Sequence, residues 1–181
     1  MSFIRALVVS SVMSALPSLC MAAGSDDTEP PTATETTTKC TDAQVWDEKQ
    51  QKCVDSQSGS LDDENRFRAV RELAWAGRPE DALIVLAAMR EGETDRVLTY
   101  LGFAHRKAGR TEVGLDYYAQ ALEKNPDNIL ARSYLGQLLV EMGEIALARG
   151  QLEEIRQRGG KGTWAEASLS RAVGTGETLN Y

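Results

Sequence analysis

Histidine and cysteine are scarce in this chain of 181 residues: His105 stands alone, and there are three cysteines. A multi-histidine metal site is therefore excluded, and a Ser-His or Cys-His catalytic pair has one possible centre. Basic charge is short as well. Twenty lysines and arginines face 27 acidic residues, for a net charge of −7, so the chain lacks the basic stripe with which proteins follow nucleic-acid phosphates. No glycine-rich phosphate loop, metal-ligand spacing or nucleophile elbow is present. The uncharged apolar run near the N-terminus, Ala6 to Leu16, is too short to cross a membrane, which takes about 20 apolar residues. What remains is a 42% hydrophobic chain, enough for one soluble core with tails.

Residues 1–23 read as a secretory signal: Arg5 in a short n-region, the apolar run, Pro17, and small residues at Ala22 and Ala23, near which cleavage is expected. Leu19 before Cys20 departs from the small residue a lipid-anchor motif wants. The expectation is thus a periplasmic or secreted protein with no stable membrane anchor after cleavage. Losing Arg5 makes the mature charge −8, and losing Cys20 leaves Cys40 and Cys53. In an oxidising compartment these two are a natural disulfide pair.

Residues 24–39 are rich in Thr, Glu, Asp and Pro without apolar periodicity, which predicts a disordered acidic linker. Residues 40–54 predict a small disulfide-closed loop or hairpin, with strands at Gln44 to Asp47 and Lys52 to Val54 around a polar turn. An isolated hairpin is marginal in water, and closing so short a loop with a disulfide stabilises it by about 3 kcal/mol. Trp46 either is displayed for recognition or, as we read it, packs on the loop or the helical domain. Residues 55–60 read as a polar spacer, 61–173 as the helical domain, and 174–181 as a loose C-terminus. From residue 61 onward 19 acidic residues meet 16 basic ones, so the acidity sits mostly in the tail, where it keeps the segment solvated.

The helical region repeats itself. Leu101-Gly102 recurs as Leu135-Gly136 and Gly109 as Gly143, each 34 residues on; Gly114 falls on Ala148 and Tyr118 on Leu152. A degenerate upstream unit has Gly77 at 32 residues before Gly109, with Leu73, Ala82, Leu86 and Met89 on core places. Helical stripes support the pattern, among them Leu115, Tyr118, Ala119 and Leu122. Pro79 sits just inside a helix start, and Thr111 is placed to cap the helix after Gly109. Residues 163–173 predict one further helix with Trp164, Ala167, Leu169 and Val173 as apolar members, an end cap for the stack.

The pattern resembles the tetratricopeptide repeat family: Leu101, Gly102, Gly114, Tyr118, Ala121 and Pro126 fill six of its places, and Leu135, Gly136, Leu139, Ala148 and Leu152 match in the next unit. His105 takes an aromatic place, Ile155 replaces an alanine, and Gly160 replaces the closing proline. The resemblance implies an all-α, right-handed solenoid of about three helical hairpins plus a C-terminal capping helix. It also implies a concave groove lined by the first helices of the units. Carried over by register, the groove residues are Glu64, Phe67, Arg71, Ala74 and Trp75, then Arg96, Thr99, Phe103, Arg106 and Lys107, then Leu130, Ser133, Gln137, Val140 and Glu141.

Arg71, Arg96, Arg106 and Lys107 among Phe67, Trp75 and Phe103 suit an extended peptide with acidic groups or a terminal carboxylate. The plainer reading pairs the arginines with Glu72, Asp95 or Glu112 and puts Trp75 in the helix-packing core. The lysine and asparagine set with which some cytosolic members of the family clamp a partner's C-terminus is missing; Gln137 and Ser133 stand in the third unit. The resulting expectation is a non-enzymatic protein-binding or scaffold protein of the bacterial periplasm, with no cofactor and no nucleic-acid partner. The alternative is a self-associating envelope subunit that uses the stapled loop as its contact. An enzyme on this scaffold would rest on His105, which occupies a repeat-core place.

Overall fold

In the computed structural model, residues 29–178 are described; the signal-like segment and the C-terminal tyrosine lie outside them. The order of elements is a short helix α1 (Glu35–Thr38), strands β1 (Val45–Asp47) and β2 (Lys52–Val54), then helices α2 (Asp63–Trp75), α3 (Pro79–Ala87), α4 (Asp95–Lys107), α5 (Thr111–Lys124), α6 (Ile129–Glu141), α7 (Ile145–Gln157) and α8 (Trp164–Thr175). Three antiparallel hairpins, α2–α3, α4–α5 and α6–α7, stack in sequence, and α8 packs on α6 and α7.

The period seen in the sequence has a physical cause. Gly77, Gly109 and Gly143 take positive φ at 74°, 78° and 82°, the left-handed conformation that ends a helix at little steric cost. Inside α4, a Cβ on Gly102 would come within 2.7 Å of the Tyr118 ring, so the glycine is what lets α4 and α5 touch. Gly136 differs in its partner: a Cβ there would meet Leu169 of α8 at 2.5 Å, so this glycine admits the cap helix. Pro79 starts α3 as expected. Thr111 does not cap α5; Arg110 is the cap residue and makes no side-chain cap bond, leaving Thr111 as the first helical residue. In α8 the buried side is Ala165, Ser168, Leu169 and Ala172, and Ala167 is exposed.

The N-terminal module is ordered and belongs to the stack. Cys40 and Cys53 are joined by a disulfide, and β1 and β2 pair antiparallel, Trp46 opposite Cys53. Ala43 and Val45 are buried in the same core as Phe67, Ala69, Val70 and Leu73 of α2, so the stapled hairpin covers the open first face of the solenoid as α8 covers the last. Trp46 is half-buried with the Lys39 ammonium 4.8 Å from its ring centre. The loop's buried apolar side chains therefore face α2 and are not offered to a second copy.

Two segments expected to be unstructured are held by single buried charges. Residues 55–60 wrap around Arg66, whose guanidinium donates to the carbonyls of Ser56, Ser58 and Leu61 at 2.8–2.9 Å. Residues 35–38 of the expected linker form α1, capped by Thr34 and docked on Glu72. Composition reports missing apolar periodicity, and both segments lack it; their order comes from hydrogen bonds to an ion on α2, which periodicity does not register.

Candidate functional site

The first helices of the hairpins, α2, α4 and α6, pack side by side on the side where the resemblance puts the groove, and an aromatic ladder runs along them. Phe67 meets Tyr100 edge-on at 5.3 Å, Phe103 lies 4.6 Å from Tyr134, and Tyr134 lies 6.2 Å from Trp164. Trp75, at the end of α2, stands 5.3 Å from Trp164 and donates its indole N–H to the Tyr134 hydroxyl. The first hairpin and the cap thus meet across the groove, and the rings that register places there form its packed bottom.

The expected groove residues divide accordingly. Phe67, Thr99, Phe103 and Gln137 are buried. Gln137 donates to Ser168 of α8 at 3.0 Å and Ser133 donates to the Ala165 carbonyl at 2.8 Å, so the third unit's polar groove positions are committed to the cap. Arg106 is 5% exposed and donates through Nε and Nη2 to both oxygens of Glu141, at 2.8 and 2.6 Å. Arg96 pairs with Glu91 at 2.7 Å and Glu64 at 2.9 Å, its guanidinium 4.4 Å above the Phe67 ring. Arg71 donates to the Tyr100 hydroxyl and to the Glu29 carbonyl. Lys107 is half-buried with its ammonium 5.7 Å from the Phe103 ring, and burial followed by the neighbouring Arg106 charge lowers its pKa, against Glu141. In the positive stripe read from the sequence, Arg96 and Arg106 are therefore paired with carboxylates of this chain, Glu64 and Glu141 on adjacent helices and Glu91 in the α3–α4 loop, and not with the acids first named as candidates.

What stays open is a cleft of about 240 Å³ between the first turns of α2, α4 and α6. Phe67, Tyr100 and Leu130 give it an apolar base; Arg96, Thr99, Asp127 and Ile129 line it as well. Asp95 is held at its side by Asn125 and Asn128, which donate to one carboxylate oxygen at 2.7 and 3.0 Å, and Asn128 also caps α6. Of the expected groove residues, Phe67, Arg96, Thr99 and Leu130 come together here. Arg71, Trp75, Phe103, Arg106, Lys107 and Gln137 do not line it. Tyr100, Asp95 and the two asparagines were missed. Asn128 carries a signal, an Asn directly before a helical stripe.

His105 is not in the cleft. It stacks on Tyr117 at 5.3 Å and accepts at Nδ1 from Arg110, which bridges to Glu80. Burial and the Arg110 charge lower its pKa, with Glu80 opposing. Its partners are a ring and an ion pair on the repeat surface, an arrangement that orients no nucleophile. Among the described residues no cluster of His, Cys, Asp and Glu is arranged to hold a metal ion, and no helix is long and apolar enough to cross a membrane.

Comparison with known proteins agrees with the geometry. The family model of the tetratricopeptide repeat matches residues 105–168, from the last turn of α4 into α8. The match supports a tetratricopeptide repeat over these residues. Repeats of this kind generally mediate protein–protein interaction and scaffolding. No curated protein and no solved structure gives a significant match.

Proposed function

We propose that this protein is a non-enzymatic interaction module of the bacterial periplasm that holds a segment of a partner protein on its concave side. The observation that carries the reading is the cleft over Phe67, Tyr100 and Leu130. Its apolar base and polar walls suit one aliphatic or aromatic anchor side chain of an extended segment. Arg96 and Arg106 already face carboxylates of this chain, so the recognised feature is that anchor rather than an acidic group or a terminal carboxylate. The setting is argued from the signal-like residues 1–23 and from the Cys40–Cys53 disulfide, a bond that persists where the compartment is oxidising.

The test is affinity capture by the mature protein, with crosslinking and identification of the captured chain, in two charge-matched variants. Arg96→Glu puts a carboxylate at the cleft over the Phe67 ring; Arg149→Glu makes the same charge change on the exposed side of α7. Capture is expected to fall about tenfold or more in the first and to persist in the second. Equal capture by both variants would remove the cleft from the function.

A further inference from the structure

Residues 29–38 lie on α2 in a way their composition does not explain. Glu72 of α2 is 6% exposed, and every bond this carboxylate is seen to accept comes from that one segment. The Thr34 N–H and the Thr37 N–H and hydroxyl donate to Oε1 at 2.6, 3.1 and 2.6 Å, and the Thr34 hydroxyl donates to Oε2 at 2.7 Å. Upstream, the Glu29 carbonyl accepts from Arg71. Downstream, the Cys40 carbonyl accepts from Arg78 at 3.0 Å.

Apolar packing does not hold this segment. Thr36 is the one buried side chain in it. Two solvent-open clefts, of about 370 and 190 Å³, remain along the seam between the segment and α2, the first at Pro30 and Pro31 beside Arg68 and Arg71, the second at Ala33 beside Trp75 and Ala76. A segment that is matched by hydrogen bonds yet leaves open clefts beside its prolines is specified by its donors and weakly committed by its area. Such a segment can be replaced by another that presents the same donors and fills the clefts better.

We propose that the α2 surface around Glu72 is a second segment-binding site, kept occupied by the chain's own residues 29–38. In trans it takes an extended, proline-containing strand that runs into a Thr-x-x-Thr turn. The buried carboxylate reads the two threonine hydroxyls and the N–H groups of the turn; the space beside Arg71 and Trp75 takes the proline side. The site lies one turn along α2 from the cleft, and neither Arg96 nor Leu130 takes part, so its test stands or falls apart from the cleft's.

The probe is a fluorescent peptide of residues 29–40 with Ser in place of Cys40, titrated into three full-length mature proteins: native, Thr34→Val/Thr37→Val, and Glu72→Gln combined with Thr34→Val/Thr37→Val. Hydrogen exchange over residues 29–38 reports whether the chain's own segment has let go, and circular dichroism that α2–α8 stay folded. Removing the two hydroxyls is expected to speed exchange in 29–38 alone and to tighten peptide binding about tenfold or more, because the site is then free for a larger fraction of the time. Glu72→Gln in the same background is expected to abolish the gain. Unchanged exchange after loss of both hydroxyls would overturn the proposal, as would release without tighter binding, or a gain that survives Glu72→Gln.

Discussion

His105 is the point where pH near neutrality reaches the helical stack. Its Nδ1 must be unprotonated to accept from Arg110, and burial with the Arg110 charge lowers its pKa from 6.5. The folded state therefore binds the proton less readily than the unfolded one. Stability is complete above about pH 6.5 and is lost progressively as pH falls from there through the lower folded value. In melting curves from pH 8 to 5, the native protein is expected to lose melting temperature that His105→Phe, which keeps a ring on Tyr117, does not lose. A second residue pair carries more weight. Burial raises the Glu141 carboxyl, but the hydrogen bond and charge of Arg106, with the Thr178 hydroxyl, bring it below its ordinary value. Glu141→Ala strands a buried guanidinium and is expected to cost roughly 3 kcal/mol in denaturant unfolding, the lower end for breaking a buried pair because Glu141 is still partly wet. That pair shows what the sequence left illegible. Register places both Arg106 and Glu141 on the concave side, but with 35 residues between them it does not say that the two side chains meet.

At the scale of elements, two helical glycines separate a packing requirement from an accident. Gly102 has the Tyr118 ring against the place a Cβ would occupy, whereas Gly150 of α7 is exposed with nothing within 4 Å. Gly102→Ala is expected to destabilise by roughly 1–3 kcal/mol through overpacking, and Gly150→Ala to stabilise by about 1 kcal/mol through helix propensity alone. Chemical denaturation of the two variants checks both signs. The hairpins themselves were legible because a glycine turn and a small residue recur at 34 residues, a constraint that repetition makes visible. The ends of the stack were less so. The stapled hairpin reads as a free-standing loop until Ala43 and Val45 are seen buried on α2, and α1 reads as part of a tether because Glu72, which orders it, lies 38 residues downstream of Thr34.

The whole molecule is a short solenoid closed at both ends, with α2 reaching α8 through Trp75 and Trp164. Closure explains why so little of the expected groove is open. In a longer array the concave positions of each unit would face a channel; here the aromatic rings and the cap fill it, leaving the cleft between the first turns of α2, α4 and α6. The fold class was thus legible in the sequence, while the cleft depended on which side chains the closure spares. The most direct measurement is site-specific photocrosslinking in cells producing the full-length chain, with the crosslinking side chain at Asp127, on the cleft's wall, or at Gln120, exposed on α5 outside its lining. The expected result is one partner protein joined at Asp127 and absent at Gln120. The same products from both positions, or none from Asp127 while Gln120 is joined, would contradict binding in the cleft.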